Sequence, residues 1–244
     1  MRVASDGGAF VSWFDNATNV PTSSNAYQPN LAGDFDMLVS RFSSQQNRLW
    51  TTYFGGSRRE EVETHGLALT SSDQPVIVGF SDSKDLPTTS GAFQENPGSS
   101  STSEGDGFIA ILSSNGQSLV AASYMGGSSQ DELEGVHVMA DGTIIATGGT
   151  RSSFLPTDSS SEQSFNAGGA DGMLVQFSSD LSEVRYSTYI GGTGREALRD
   201  VTSNANGAIG IAGFSRSGTF PSVNSNDVSV DGLNGAVYGQ LTPR

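Results

Sequence analysis

Three acids recur at one spacing. Glu60, Asp131 and Glu196 each stand four residues after the second glycine of a Gly-Gly pair, in "TTYFGGSRREE", "ASYMGGSSQDE" and "STYIGGTGREA". Arg59 and Arg195 immediately precede two of them. Such acids suit two roles: repeated ligand pockets around one face, or clasps that cap backbone donors at the entry to the next strand. Further acids, Asp34 with Asp36, Glu104 with Asp106, and Asp131 with Glu132 and Glu134, offer oxygen ligands of the kind calcium takes. None of them follows the EF-hand or nonapeptide spacing. Asp36, Asp106 and Asp171 also suit a plainer task, tying turns by accepting backbone N–H groups. No cofactor is expected, and calcium is the one metal these acids suggest.

Nothing reads as catalytic. The chain has no cysteine, hence no thiolate nucleophile or disulfide. Its two histidines, His65 and His137, fall before and within candidate strands, where an inter-unit or loop role accounts for them. No G-x-S-x-G elbow between strand and helix is present. A net charge of -14 argues against nucleic-acid and anionic-membrane partners. No apolar run is long enough for a membrane helix, and no signal peptide is visible.

The elements that must carry these residues repeat. Pro21, Pro87, Pro156 and Pro221 recur every 65 to 69 residues. The pairs Gly55-Gly56, Gly126-Gly127 and Gly191-Gly192 recur with an aromatic two residues before each. "DMLVSRF", "DGFIAIL", "DGMLVQF" and a weaker "GAVYGQL" alternate small or polar with apolar residues, as half-buried strands do. Each unit reads as four strands. The first two are joined by Asp-Gly or Asn-Gly turns that need positive φ. A proline-bearing loop leads to the third, and a Ser/Asn/Gln-rich turn to the fourth. The double glycine then reverses the chain, and its expected use is a φ closed to other residues. Tyr27 and Phe93 are expected to anchor the proline loop, and the insertion 95–105 to be flexible.

Four antiparallel strands per unit, radially stacked, make an all-β fold of β-propeller type. One domain over 1–244 is expected, with blades at about 1–56, 65–127, 135–192 and 200–241. The fourth copy ends at 235–241, so its outer strand is expected to be missing and its edge open. The motif set of D-x-apolar, Y-x-G-G-[ST], Gly/Asp hairpin and [FL]-P-T resembles the bacterial SBBP-type β-propeller repeat over nearly the whole chain. Val20, Ser222 and Gly235 depart from it. The resemblance implies a propeller in a bacterial extracellular or cell-surface setting and no particular reaction. The reading is a non-enzymatic module that binds, scaffolds or assembles, through a protein partner or self-association at the open edge, with glycan as a further ligand. The alternatives are a carbohydrate-active hydrolase or lyase, or a lectin.

Overall fold

Four antiparallel sheets follow one another along the chain. The computed structural model describes residues 1–101, 103–157, 160–218, 229–230 and 235–241, the last two stretches as backbone. Pro221 and Ser222 lie outside the described residues. Among the described residues there is no helix. The first sheet runs β1 (Arg2–Val3), β2 (Ala9–Asp15), β3 (Asp36–Phe42) and β4 (Arg48–Phe54) in spatial order. In the second, β5 (Glu60–Glu61) and β6 (Leu67–Leu69) both pair with β7 (Pro75–Ser81), followed by β8 (Asp106–Leu112) and β9 (Leu119–Met125). The third comprises β10 (Asp131–Val138), β11 (Ile144–Thr150), β12 (Asp171–Phe177) and β13 (Val184–Ile190). The fourth contains β14 (Glu196–Ser203), β15 (Ile209–Ser215), β16 (Ser229–Val230) and β17 (Gly235–Leu241), in the order β14-β15-β17-β16.

Alternation along the inner strands divides the apolar residues among three layers. On β8, Phe108, Ala110 and Leu112 face the first sheet, whereas Ile109 and Ile111 face the third. On β12, Met173, Val175 and Phe177 face the second sheet and Leu174 the fourth. A strand with a sheet on both sides has no wet face, so β7, β8 and β11 are buried throughout. By contrast, β2 and β15 are only partly covered.

Each tight hairpin turn holds one residue in the left-handed region. Gly7, Asp73, Gly142 and Gly207 take this place between first and second strands, and Gln46, Gly116 and Leu181 between third and fourth. The Asp-Gly and Asn-Gly turns thus use the positive φ their sequences suggest. The double glycines do not, since none is among the positive-φ residues. Their reason is steric and belongs to the site described below.

Two boundaries differ from the sequence reading. The first strands of sheets three and four begin at the acids Asp131 and Glu196, ahead of the expected starts. Each is broken by a bulge, at Leu133/Gly135 and Leu198/Asp200. In sheet two the same strand is split into β5 and β6. The fourth sheet also does not stop at β17. Its outer place is held by β16, which pairs Ser229 with Tyr238 and Val230 with Val237. This two-residue pairing meets the middle of an edge that the sequence reading left open to a protein partner or self-association. The insertion is tied down as well: Lys84 Nζ donates to Ser99 O (2.8 Å) and Glu104 O (3.1 Å).

Gln46 is exposed and strained at φ 66°. Gln46→Gly should therefore stabilise the protein by about 0.5–1 kcal/mol. A urea midpoint that rises at unchanged slope would show this, and a fall would assign the Gln46 side chain a stabilising contact.

Candidate functional site

The three recurrent acids are buried between sheets, where water cannot solvate them. Glu60 Oε2 accepts from Gly56 N (2.8 Å) and Oε1 from Ser81 Oγ (2.6 Å). Asp131 Oδ2 accepts from Gly127 N and Ser152 Oγ (both 2.7 Å), and Oδ1 from Thr150 Oγ1 (2.5 Å). Glu196 repeats the pattern with Gly192 N (2.7 Å) and Ser215 Oγ (2.8 Å). Their backbone amides bond to Phe35, Gly105 and Ala170 of the preceding sheet. Each acid therefore ties the last strand of one sheet to the second strand of the next. Its oxygens are committed to that task.

A second carboxylate faces each clasp. Asp36 Oδ2 accepts from Ala32 N (2.8 Å) and Gln28 Nε2 (2.6 Å), and Asp171 Oδ2 from Ala167 N (2.9 Å) and Gln163 Nε2 (2.6 Å). Asp106 Oδ2 accepts from Gly98 N (2.6 Å). The glutamines turn their carbonyls the other way: Gln28, Gln94 and Gln163 Oε1 accept from Gly55, Gly126 and Gly191 N at 3.0–3.1 Å. The first glycine of each pair exists because this space is full, and a Cβ on the second, at Gly56 or Gly127, would stand 2.6 or 2.8 Å from Ser83 or Ser152 Cβ. A Cβ on Gly126 would stand 2.6 Å from Asp106 Oδ1 and 2.7 Å from Asp131 Oδ2, and one on Gly55 2.5 Å from Glu60 Oε2. The tyrosine before each pair fixes the proline loop. Tyr124 and Tyr189 hydroxyls accept from Leu86 N and Leu155 N and donate to Ser83 O and Ser152 O. Tyr53 donates to Ala17 O.

Burial raises the carboxyls of Asp36, Glu60, Asp106, Asp131 and Asp171. Glu60 is pushed up to about 7, chiefly by desolvation, with the Asp36 charge adding to it. Asp106 and Asp171 rise to about 6 for the same reason, and Asp131 also rises. The remaining candidates lie elsewhere. The Arg59 and Arg195 guanidiniums sit over the Phe80 and Phe214 rings, at 5.2 and 5.8 Å. Asp34 is exposed while Asp36 is buried. Among the described residues no three acidic or histidine side chains gather as metal ligands.

The glutamines and clasp hydroxyls were not singled out from sequence, although their signal is regular. Gln28, Gln94 and Gln163 each follow the loop proline by seven residues, and Ser81, Thr150 and Ser215 precede it by six.

A different set of residues lines a cavity of about 400 Å³ where the first strands of all four sheets meet. Arg2, Ala68, His137 and Thr202 are equivalent there, each opposite the second residue of its neighbouring strand (Phe10, Val76, Ile145, Gly210). Arg2 Nε donates to Leu67 O (2.6 Å), and His137 Nε2 lies 2.9 Å from Ser203 Oγ. Burial, aided by the Arg2 charge, holds His137 below the ordinary histidine range. Val3, Leu69 and Val138 supply aliphatic wall, and Asp200 a carboxylate. His65 Nε2 lies 3.9 Å from that carboxylate. Nearby, buried Glu134 pairs with Arg199, which also reaches Glu63 at 3.8 Å. Burial and the Glu132 charge push Glu134 up to about 8. Both histidines thus belong to the region of this cavity, each facing a residue of the fourth sheet from another sheet.

No family model and no curated protein matches the chain. A solved structure of a protein of unknown function from Dyadobacter fermentans DSM 18053 aligns over 99% of this chain with a TM-score of 0.52 at 10% identity. The chain spans 59% of that protein's length. At this identity the likeness is one of fold alone.

Two outcomes follow from the buried acids. Gly126→Ala should cost at least about 2 kcal/mol, whereas Gly149→Ala, whose new Cβ stops 3.4 Å from Ala197, should cost little. Equal losses in denaturant would show that the carboxylate space is not the constraint. The raised acids bind protons more readily folded than unfolded, so their stabilisation is complete below pH ~4 and falls as pH rises towards 7–8. Each group loses about 1.4 kcal/mol per pH unit within its own window. Tm should be lower at pH 8 than at pH 5 by at least roughly 5 °C, and Glu60→Gln should flatten the profile. A Tm that climbs over this range would contradict the burial argument.

Proposed function

We propose that the four sheets are blades of a β-propeller of the SBBP-repeat kind, and that the chain is a non-enzymatic binding module. The extracellular or cell-surface setting is what that resemblance implies. One observation carries the binding reading: the equivalent positions at the common cavity are Arg2, Ala68, His137 and Thr202, four different chemistries on one repeated frame. Residues that repeat are consumed in structure: the acids and the glycine amides hold sheet to sheet, and the glutamines and tyrosines fix each sheet's own loop. A concave pocket with an aliphatic wall and a few polar groups is the usual form of a small-ligand site. Within this reading His137 and Ser203 orient polar groups of a ligand. Among the described residues no carboxylate hydrogen-bonds the second ring nitrogen of His137, as a hydrolytic triad would need.

Thr202 is exposed at the cavity, so Thr202→Trp fills it without displacing core residues. In a thermal-shift screen of sugars, organic acids and short peptides, compounds that raise wild-type Tm should fail to raise that of Thr202→Trp. Equal shifts in both proteins would overturn the cavity as the site. Turnover of a glycoside or ester that disappears on filling the cavity would replace binding by catalysis.

A further inference from the structure

Arg2 is the one side chain at the four equivalent positions that carries a permanent charge. Its Nε–H is used, donating to Leu67 O at 2.6 Å, and this bond pins the side chain from the first sheet onto the second. The two terminal nitrogens make no hydrogen bond or ion pair with any described residue. A guanidinium held at Nε with its terminal N–H groups free is a preset planar donor, a fit for one carboxylate. The surroundings select further. Val3, Leu69 and Val138 form aliphatic wall, and Val3 is 67% exposed, an apolar surface open to a ligand. Asp200 lies on the same cavity, and the whole chain carries -14. Both disfavour a dianion such as phosphate, which one arginine would not offset. His137, held below its ordinary range by burial, contributes a neutral ring rather than a second cation.

We infer that the cavity takes an aliphatic monocarboxylate whose carboxylate is anchored by Arg2. This rests on the cavity being the binding site. A free branched-chain acid and the C-terminus of a polypeptide share the chemistry.

The test uses matched pairs: isovalerate against isovaleramide, and acetyl-Ala-Ala-Val with a free against an amidated C-terminus. Calorimetry on the wild-type chain should show the acid of at least one pair binding at least tenfold more tightly than its amide. Arg2→Gln should remove that preference, and Arg2→Lys should restore only part of it, because an ammonium keeps the charge and loses the fork. Tighter binding of the peptide acid assigns a chain terminus, and tighter binding of isovalerate a free acid. Equal affinity of acid and amide, or an acid preference unchanged in Arg2→Gln, overturns the inference. Inorganic phosphate binding more tightly than either acid does so too. Neutral compounds whose binding is lost in Thr202→Trp would leave the cavity as the site and reject only the ligand class. Arg2 is exposed, and matching far-ultraviolet circular dichroism and Tm of the variants would show that loss of binding is not loss of fold.

Discussion

A carboxylate removed from water between stacked sheets is the constraint on which the rest of this molecule depends. Taking that charge from water is costly unless every lone pair is met by a donor or the group keeps its proton. Glu60, Asp131 and Glu196 meet the demand with a glycine amide from the sheet behind and hydroxyls from the sheet ahead. The facing Asp36, Asp106 and Asp171 crowd the same space. A side chain on the glycine would displace one of the two carboxylates, and a missing hydroxyl would leave an oxygen bare. Strand starts, glycine pairs, the Ser/Thr positions and the loop glutamines are therefore one arrangement rather than separate motifs. The same arrangement sets direction, because the first three sheets offer amides after their last strands and the last three offer hydroxyls at their second.

This division of labour separates scaffold from site. Repeated residues face the interfaces between sheets, and non-repeated ones face the cavity at the first strands. A frame whose stacking is settled by buried polar bonds and three apolar layers leaves the first-strand positions at the cavity free to differ. Arg2 against Ala68, His137 and Thr202 is that freedom in use. The cost of the polar bonds is borne by the fold: burial favours the protonated acids, so near-neutral pH works against the interfaces.

Hairpin turns and the all-β class were legible because alternation and Asp-Gly or Asn-Gly turns are local properties. Asp73, Gln46 and Leu181 show the limit, since they adopt positive φ with no glycine to announce it. The glycine pairs were visible but for another reason than backbone torsion, because what excludes a Cβ there is Asp36 or Asp106, many residues away along the chain. Gln28, Gln94 and Gln163 repeat in register and were still passed over, since a polar loop residue looks solvated until its partner is known to be buried. The acids were found, and their role was left open between pocket and clasp. Only the sheet packing that buries them decides it. The cavity had no motif at all, as its residues differ in every repeat.

The clasp also bears on how far such stacking runs. Sheets with open faces invite further sheets, as open edges invite further strands. Here the second strand of the first sheet carries Asp15 and Ala17 where the others carry Ser81 and Ser83, Thr150 and Ser152, or Ser215 and Ser217. That strand is only partly covered, with Phe14 40% exposed, as is β15 of the fourth sheet. An identical repeat stacking on that face would bring its buried acid against the Asp15 carboxylate, with no hydroxyl to receive it. Like charges in a desolvated joint oppose the contact strongly. The clasp that fastens the other sheets in sequence is therefore one that the second strand of the first sheet, with Asp15 in the hydroxyl's place, does not offer to an identical acid.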